Sequence, residues 1–330
     1  MKLVSFSLST PIGTVTRIGA VVADPSPRYL DLNAAYQQFL VSTGATPEAA
    51  RRMADGIFPA SMVEFIANGP VGMDCATQAL AFANSGEVSG LPQVWYAPES
   101  VTLLPPVPNP PMLRDFMAFE THLQNIYPVL GREIPPVWYE MPVYYKGNVH
   151  SLGTHGDDVP MPYGVPELDY EFELAVVIGK GGKDIAPEQA MDHVFGYMIY
   201  NDFSERSVQG REMSVGLGPA KGKDFHNAHV FGPYLVTADE IPDPYALELV
   251  LRVNGEELAR ESSGTMYWKI ADLIAQASLA ERIVPGEILG TGTIGNGSGA
   301  ERRQLLQTGD VIELEATGLG LLRNRVVAEV

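Results

Sequence analysis

Apolar positions along this chain fall more often into strand-length runs than into helix-length stripes. Residues 3–8 and 14–22 carry apolar and β-branched side chains at strand spacing. Thr46-Pro47-Glu48 predicts a helix start: a side-chain oxygen at the cap, a proline in the first turn, and an acid at the positive end of the dipole. A second helix is predicted over residues 61–68 and beyond. The pattern then breaks at Leu104-Pro105-Pro106-Val107-Pro108-Asn109-Pro110-Pro111. Five prolines in eight residues exclude a helix or a central strand and give a stiff, extended connector. The expected division is a small N-terminal domain, 1–105, and a larger one, 106–330.

Beyond the connector, residues 171–179 read as a strand closed by glycine. Residues 187–194 read as a short helix running into a strand over 195–200. Residues 246–253 form a further strand, with Asn254-Gly255 a two-residue hairpin signal. Residues 268–283 predict an amphipathic helix stopped by Pro285. Residues 310–315 and 321–327 predict a closing hairpin through Gly318 and Gly320. Strands outnumber helices, so the class is α+β and mainly β.

Composition narrows the function. The chain has 330 residues, 45% hydrophobic and 19% charged, which suits a packed core rather than disorder. A net charge of −18 repels phosphate backbones and anionic membranes, so nucleic-acid and membrane partners are not expected. Cys75 stands alone, which leaves no internal disulfide or thiolate cluster and fits a reducing compartment. Residues 1–8 hold one lysine and no extended apolar run, and the expected location is the cytoplasm.

The chemistry starts with Glu171 and Glu173. Residues i and i+2 of a strand share a face, so the pair is either a solvated edge or part of a cation site. Asp202 ends an apolar strand in Tyr200-Asn201-Asp202-Phe203-Ser204-Glu205-Arg206, and Asp115 follows the proline connector. An all-oxygen donor set suits Mg²⁺ or Mn²⁺, or Ca²⁺, rather than structural zinc. His226-x-x-His229 has no further ligand signal beside it and reads as structural. The glycines at 179–182 lack a following Lys-Ser/Thr and form no phosphate loop. Trp138, Tyr139, Tyr144 and Tyr145 serve either a pocket wall or the core.

Over residues 110–330 these motifs, in order, resemble the fumarylacetoacetate hydrolase family. Leu168-Asp169-Tyr170-Glu171-Phe172-Glu173-Leu174-Ala175 is similar to its Glu-x-Glu strand. Asn201-Asp202-Phe203-Ser204-Glu205-Arg206-Ser207-Val208-Gln209 is similar to its Asn-Asp-aromatic-Ser signature. Thr308-Gly309-Asp310-Val311-Ile312-Glu313 with Leu322-Arg323-Asn324 resembles its C-terminal hairpin. The resemblance implies a C-terminal mixed β-sandwich roll beside a small N-terminal α+β domain, and a homodimer. It implies a divalent cation on Asp115, Glu171, Glu173 and Asp202. It also implies hydrolysis of a carbon–carbon bond in an acylpyruvate-like or other β-diketo acid, with His122, seven residues past Asp115, as the base.

Some members of the family place a glutamate three residues after that histidine. Here Asn125 stands there, and His122-x-x-Asn125 resembles the fumarylacetoacetase branch, whose partner glutamate comes from a late glycine-rich loop; in Gly297-Ser298-Gly299-Ala300-Glu301 that resemblance implies Glu301 as the partner. The resemblance gives Lys223 an oxyanion-stabilising role and makes Arg206, Gln209, Tyr145 and Thr293 substrate contacts. Arg206 has the alternative of an ion pair in the site wall. Met117 stands where the fumarylacetoacetase branch carries a tyrosine, which argues against fumarylacetoacetate itself. Two rival readings remain: a same-family isomerase, hydratase or decarboxylase of a 2-oxo acid, and a non-catalytic metal-binding protein with this fold.

Overall fold

The computed structural model describes residues 1–22, 27–88, 93–164 and 167–328. The chain divides into two compact units, Met1–Asn109 and Pro110–Val330.

In the first unit Lys2–Thr10 pairs with Gly13–Val22, which pairs in turn with Arg28–Asp31 and then Trp95–Tyr96, all antiparallel. Four helices follow: Leu32–Ser42, Pro47–Ile57, Met62–Ala67 and Gly69–Asn84. The first three of them are capped by side chains. Asp31, Thr46 and Ser61 accept from the backbone N–H of Ala34, Ala49 and Glu64. The helix expected over 61–68 and beyond is two helices. Gly69 has φ 58°, and Pro70 follows it, so the hydrogen-bond ladder breaks there.

The second unit holds two main sheets. One runs His229–Thr237, Val194–Asp202, Phe172–Ile178, Ile288–Gly290, Leu113–Phe116, Tyr144–Gly147. Its centre is buried on both faces, and all seven side chains of Phe172–Ile178 are inaccessible. That explains the continuous apolar run over residues 174–178 rather than an alternating one. The other sheet runs Glu256–Ser262, Glu248–Val253, Val311–Ala316, Gly320–Val327, Asp158–Pro160. Both sheets feed one core, with Val176 and Ile199 from the first and Leu249, Leu314 and Val326 from the second. The architecture is α+β and mainly β.

Two elements depart from expectation. The helix expected over 268–283 covers only Ile270–Ser278. Ala280 takes a left-handed φ of 56°, its N–H is held by Asp184, and Arg282–Ile283 pairs with Gly182–Lys183 as a short strand. The helix expected over 187–194 is one turn, Pro187–Ala190, followed by a tighter turn at Met191–His193.

Candidate active site

Neighbouring strands bring three acids together. Leu113–Phe116 pairs with Ile288–Gly290 and Tyr144–Gly147, which sets Asp115 opposite Gly290 and Tyr145. Phe172–Ile178 pairs with Ile288–Gly290 and with Val194–Asp202, whose last residue is Asp202. Asp115, Glu173 and Asp202 each direct a carboxylate oxygen to a common point, within 4.8 Å of one another, and all three are buried. Gly290 leaves the space. A Cβ there would lie 2.5 Å from Asp115 Oδ1 and 2.9 Å from the Tyr200 ring.

Glu171 precedes its strand and is tied by an isolated bridge to Ser298. It stands at the side of this cluster, against cations. Its Oε1 is 2.7 Å from Arg206 Nη2, and its Oε2 is 2.7 Å from Lys223 Nζ. Lys223 also donates to Asp202 Oδ2, as does the Tyr145 hydroxyl at 2.8 Å. Arg206 spans Glu171 and Asp169, reaching the latter at 2.6 and 2.9 Å, and donates to Gln209 Oε1 at 2.9 Å. Its guanidinium is therefore a strut of the site wall.

A second constellation faces the same space. His122 Nδ1 lies 2.8 Å from Glu301 Oε1. Glu301 is fixed by Asn125 Nδ2 at 2.6 Å, Asn296 N at 2.8 Å, and the backbone and hydroxyl of Ser298 at 3.2 and 3.1 Å. Every one of those groups donates, so the carboxylate is held as an acceptor on both oxygens. All the candidate residues except Asp202 and Glu301 line one cavity of about 490 Å³, Thr293 among them.

Burial and neighbouring charge set the ionisation. Burial, then Asp202, pushes the Asp115 carboxyl well above its ordinary range, and burial, then Asp115, does the same to Glu173. Burial also opposes ionisation of Glu171, but Arg206 and Lys223 outweigh it and hold that carboxyl at about 2. Asp202 is buried as deeply, yet Lys223 and then His229 hold it well below the carboxylate range. Burial raises Glu301, and the hydrogen bond and charge of His122 with the hydrogen bonds of Asn125 and Asn296 together more than reverse this.

A cation fits the donors present. Asp115 Oδ1 is buried and accepts no hydrogen bond among the described residues. Asp202 Oδ1 has His229 Nδ1 at 3.1 Å, off the line of a hydrogen bond. Buried carboxylate oxygens without partners are costly, and a hard divalent cation satisfies both.

Four contributors escaped the sequence reading. Asp169 anchors Arg206 and accepts from the N–H groups of Gly299 and Ala300 at 2.7 and 3.0 Å. Its signal was present in the sequence: acids at 169, 171 and 173 alternate at the spacing of one strand face. Asn125 orients Glu301 from the helix of His122. His229, read as merely structural, is fully buried and packs between Asp202 and the Tyr200 hydroxyl, the latter at 2.8 Å. Gly290 left no signal beyond being a glycine in a short strand. Of the aromatics left open, Tyr144 and Tyr145 line the cavity, whereas Trp138 is in the core and bonds the Met117 carbonyl.

Known proteins share this arrangement of sequence and fold. The chain is 33% identical over 272 residues to the oxaloacetate tautomerase YisK of Bacillus subtilis, covering 81% of this chain and 87% of that one. It is 34% identical over 278 residues to the human mitochondrial oxaloacetate tautomerase FAHD2A, covering 83% and 82%. Among solved structures it matches maleylpyruvate hydrolase of Sphingobium sp. SYK-6, in complex with manganese(II) and pyruvate. The TM-score is 0.69 at 25% identity over the full length of both. Residues 112–327 match the model for the C-terminal domain of fumarylacetoacetate hydrolase. With that match spanning most of the second unit and both tautomerases aligned over four-fifths of the chain, this protein belongs to the fumarylacetoacetate hydrolase family.

Proposed function

We propose that this chain is a divalent-metal-dependent enzyme that moves a proton on the carbon beside the carbonyl of a small 2-oxo acid, interconverting its keto and enol forms. The observation that carries this reading is one cavity lined both by Asp115 and Glu173 of the acid cluster and by His122, whose Nδ1 is paired with Glu301. Asp115, Glu173 and Asp202 would hold Mg²⁺ or Mn²⁺, with Glu171 completing the set from its cation-paired position. A bound divalent ion supplies Lewis acidity toward the oxygens of a chelating 2-oxo acid. Glu301 holds His122 so that Nε2 is free to take a proton and the resulting imidazolium is stabilised. The Lys223 ammonium, already against Glu171 and Asp202, places positive charge where oxygen gains electron density. Gln209, Thr293 and the Tyr145 ring shape the same end of the cavity.

The names of the two tautomerase relatives support this reaction, and the Sphingobium enzyme's manganese(II) and pyruvate support the ion and head group. A second reading is hydrolysis of a carbon–carbon bond in a β-diketo acid. It is favoured by the same dyad, because a base able to take a carbon-bound proton can also activate water. A homodimer and a cytoplasmic location belong to this proposal, the latter supported by the lone, buried Cys75. Among the described residues no helix is long and apolar enough to cross a membrane.

The deciding experiment supplies the purified chain with Mg²⁺ or Mn²⁺ and follows enol-oxaloacetate and acylpyruvates, identifying products by NMR. Accelerated ketonisation without cleavage supports the tautomerase. Cleavage to pyruvate and a second acid supports the hydrolase. No acceleration of either would leave only a metal-binding protein.

A further inference from the structure

The cavity has two chemically different ends. The acids, Lys223, Arg206 and His122 form the polar one. The rest is apolar, with Leu123, Ile126, Val129 and Leu130 on or just beyond the helix Glu120–Val129, and Val143 and Met213 from two other segments. Ile126 and Val129 follow His122 by one and two helical turns, so an apolar strip starts at the base and continues for roughly 10 Å. Exposure rises along it, from 7% at His122 to 37% at Val129 and 57% at Leu130. The strip therefore runs from the reacting centre to the mouth.

A four-carbon diacid does not use this surface. It would occupy the polar end and turn its second carboxylate toward Leu123 and Ile126, where an unpaired charge is costly. Arg206 is taken by Asp169 and Glu171, and Lys223 by Glu171 and Asp202. Arg132 is the remaining lining residue with a permanent positive charge, and it is exposed, beyond the strip.

We propose that the substrate's far end is an uncharged alkyl or aryl chain of about four to eight carbons, the length that such a strip covers. The 2-oxo acid head would sit at the acids and the chain along Leu123, Ile126 and Leu130. This rests on the proposed function for the head group and goes beyond it for the tail.

The test is calorimetric binding to the full chain supplied with Mg²⁺, using pyruvate, 2-oxobutanoate, 2-oxohexanoate and 2-oxooctanoate, with 2-oxoadipate as the charged match for 2-oxohexanoate. Affinity should rise about fourfold per added methylene, equivalent to ~0.8 kcal/mol. The diacid should bind at least tenfold more weakly than 2-oxohexanoate. Ile126→Ala should narrow the advantage of 2-oxooctanoate over pyruvate by about tenfold. A flat series with measurable pyruvate binding overturns the tail assignment and leaves the head-group reading standing. Tighter binding of the diacid, lost in Arg132→Ala, overturns it in favour of a dicarboxylate. No binding by any member overturns the proposed function and this inference with it.

Discussion

Glu301→Gln is the sharpest single test of the base. Glu301 Oε1 faces His122 Nδ1 and Ser298, and Oε2 faces Asn125 Nδ2 and Asn296 N. A glutamine must turn its NH₂ toward one of these two sets. Toward Asn125 and Asn296 it meets two donors, leaving buried N–H groups unpaired at about 1–3 kcal/mol. Toward His122 it meets Nδ1, which can accept only in the tautomer that protonates Nε2. That tautomer cannot take a proton from substrate. Either rotamer also removes the negative charge that stabilises the imidazolium. A general base contributes about 10²–10⁴-fold, equivalent to ~3–5.5 kcal/mol of barrier. The variant should therefore lose at least ~100-fold in kcat, more than its loss of stability would cause in a protein that remains folded. The assay is ketonisation, by the Mg²⁺-supplied protein, of whichever enol of a 2-oxo acid the unsubstituted chain turns over fastest, with Mn²⁺ affinity measured alongside. A kcat within threefold of the parent at unchanged metal affinity would refute the role given to His122 and Glu301.

Three further outcomes follow from the acid cluster. Asp115→Asn removes the charge of the carboxylate whose Oδ1 has no other partner, and Mn²⁺ affinity should fall at least ~100-fold by calorimetry, or ~2.7 kcal/mol. Gly290→Ala would push Asp115 and the Tyr200 ring apart, costing ~1–3 kcal/mol in urea unfolding and weakening the ion as well. The Asp115 carboxyl is raised by burial and then Asp202, and the Glu173 carboxyl by burial and then Asp115, so the ion-free protein is favoured by their protons. That stabilisation is complete below their unfolded values and is lost as pH rises through the raised folded values. Unfolding midpoints of the ion-free chain should fall across that window and recover with Mg²⁺. Calorimetry in two buffers of different ionisation heat should show proton release on ion binding. Zero release below the raised values would refute the assignment.

Much of the candidate site was legible because its residues carry chemistry in short, ordered motifs. The acids of residues 171–173, the aspartate ending an apolar strand and the histidine seven residues past Asp115 are readable without coordinates. Partnerships are harder, because they join residues far apart in sequence. Asn125 and Glu301 meet only through the loop that carries Ser298, and His229 reaches Asp202 across paired strands. Secondary structure failed where backbone geometry outranked side-chain pattern. The stripe over 268–283 is amphipathic throughout, yet Ala280 turns left-handed where Asp184 captures its N–H. Likewise Gly69 splits a run of helix formers that periodicity reads as continuous.

The four acids grouped from sequence are not equivalent, and the cations decide how they divide. Glu171 is held by both Arg206 and Lys223, so its charge is balanced before any ion arrives. Asp202 shares Lys223 through Oδ2 and leaves Oδ1 without a hydrogen bond among the described residues. Asp115 and Glu173 touch neither cation, and burial pushes both toward the neutral form. An arriving divalent ion thus gains most from those two, neither of which has an ion pair with a cationic side chain among the described residues. Glu171 gains least. Substituting Glu171 should accordingly disturb the placement of Arg206 and Lys223 as much as ion affinity, whereas substituting Asp115 should act on the ion first. The ratio of lost metal affinity to lost kcat should be larger for Asp115→Asn than for Glu171→Gln. The reverse order would place the primary ligand on the Arg206 side of the cluster.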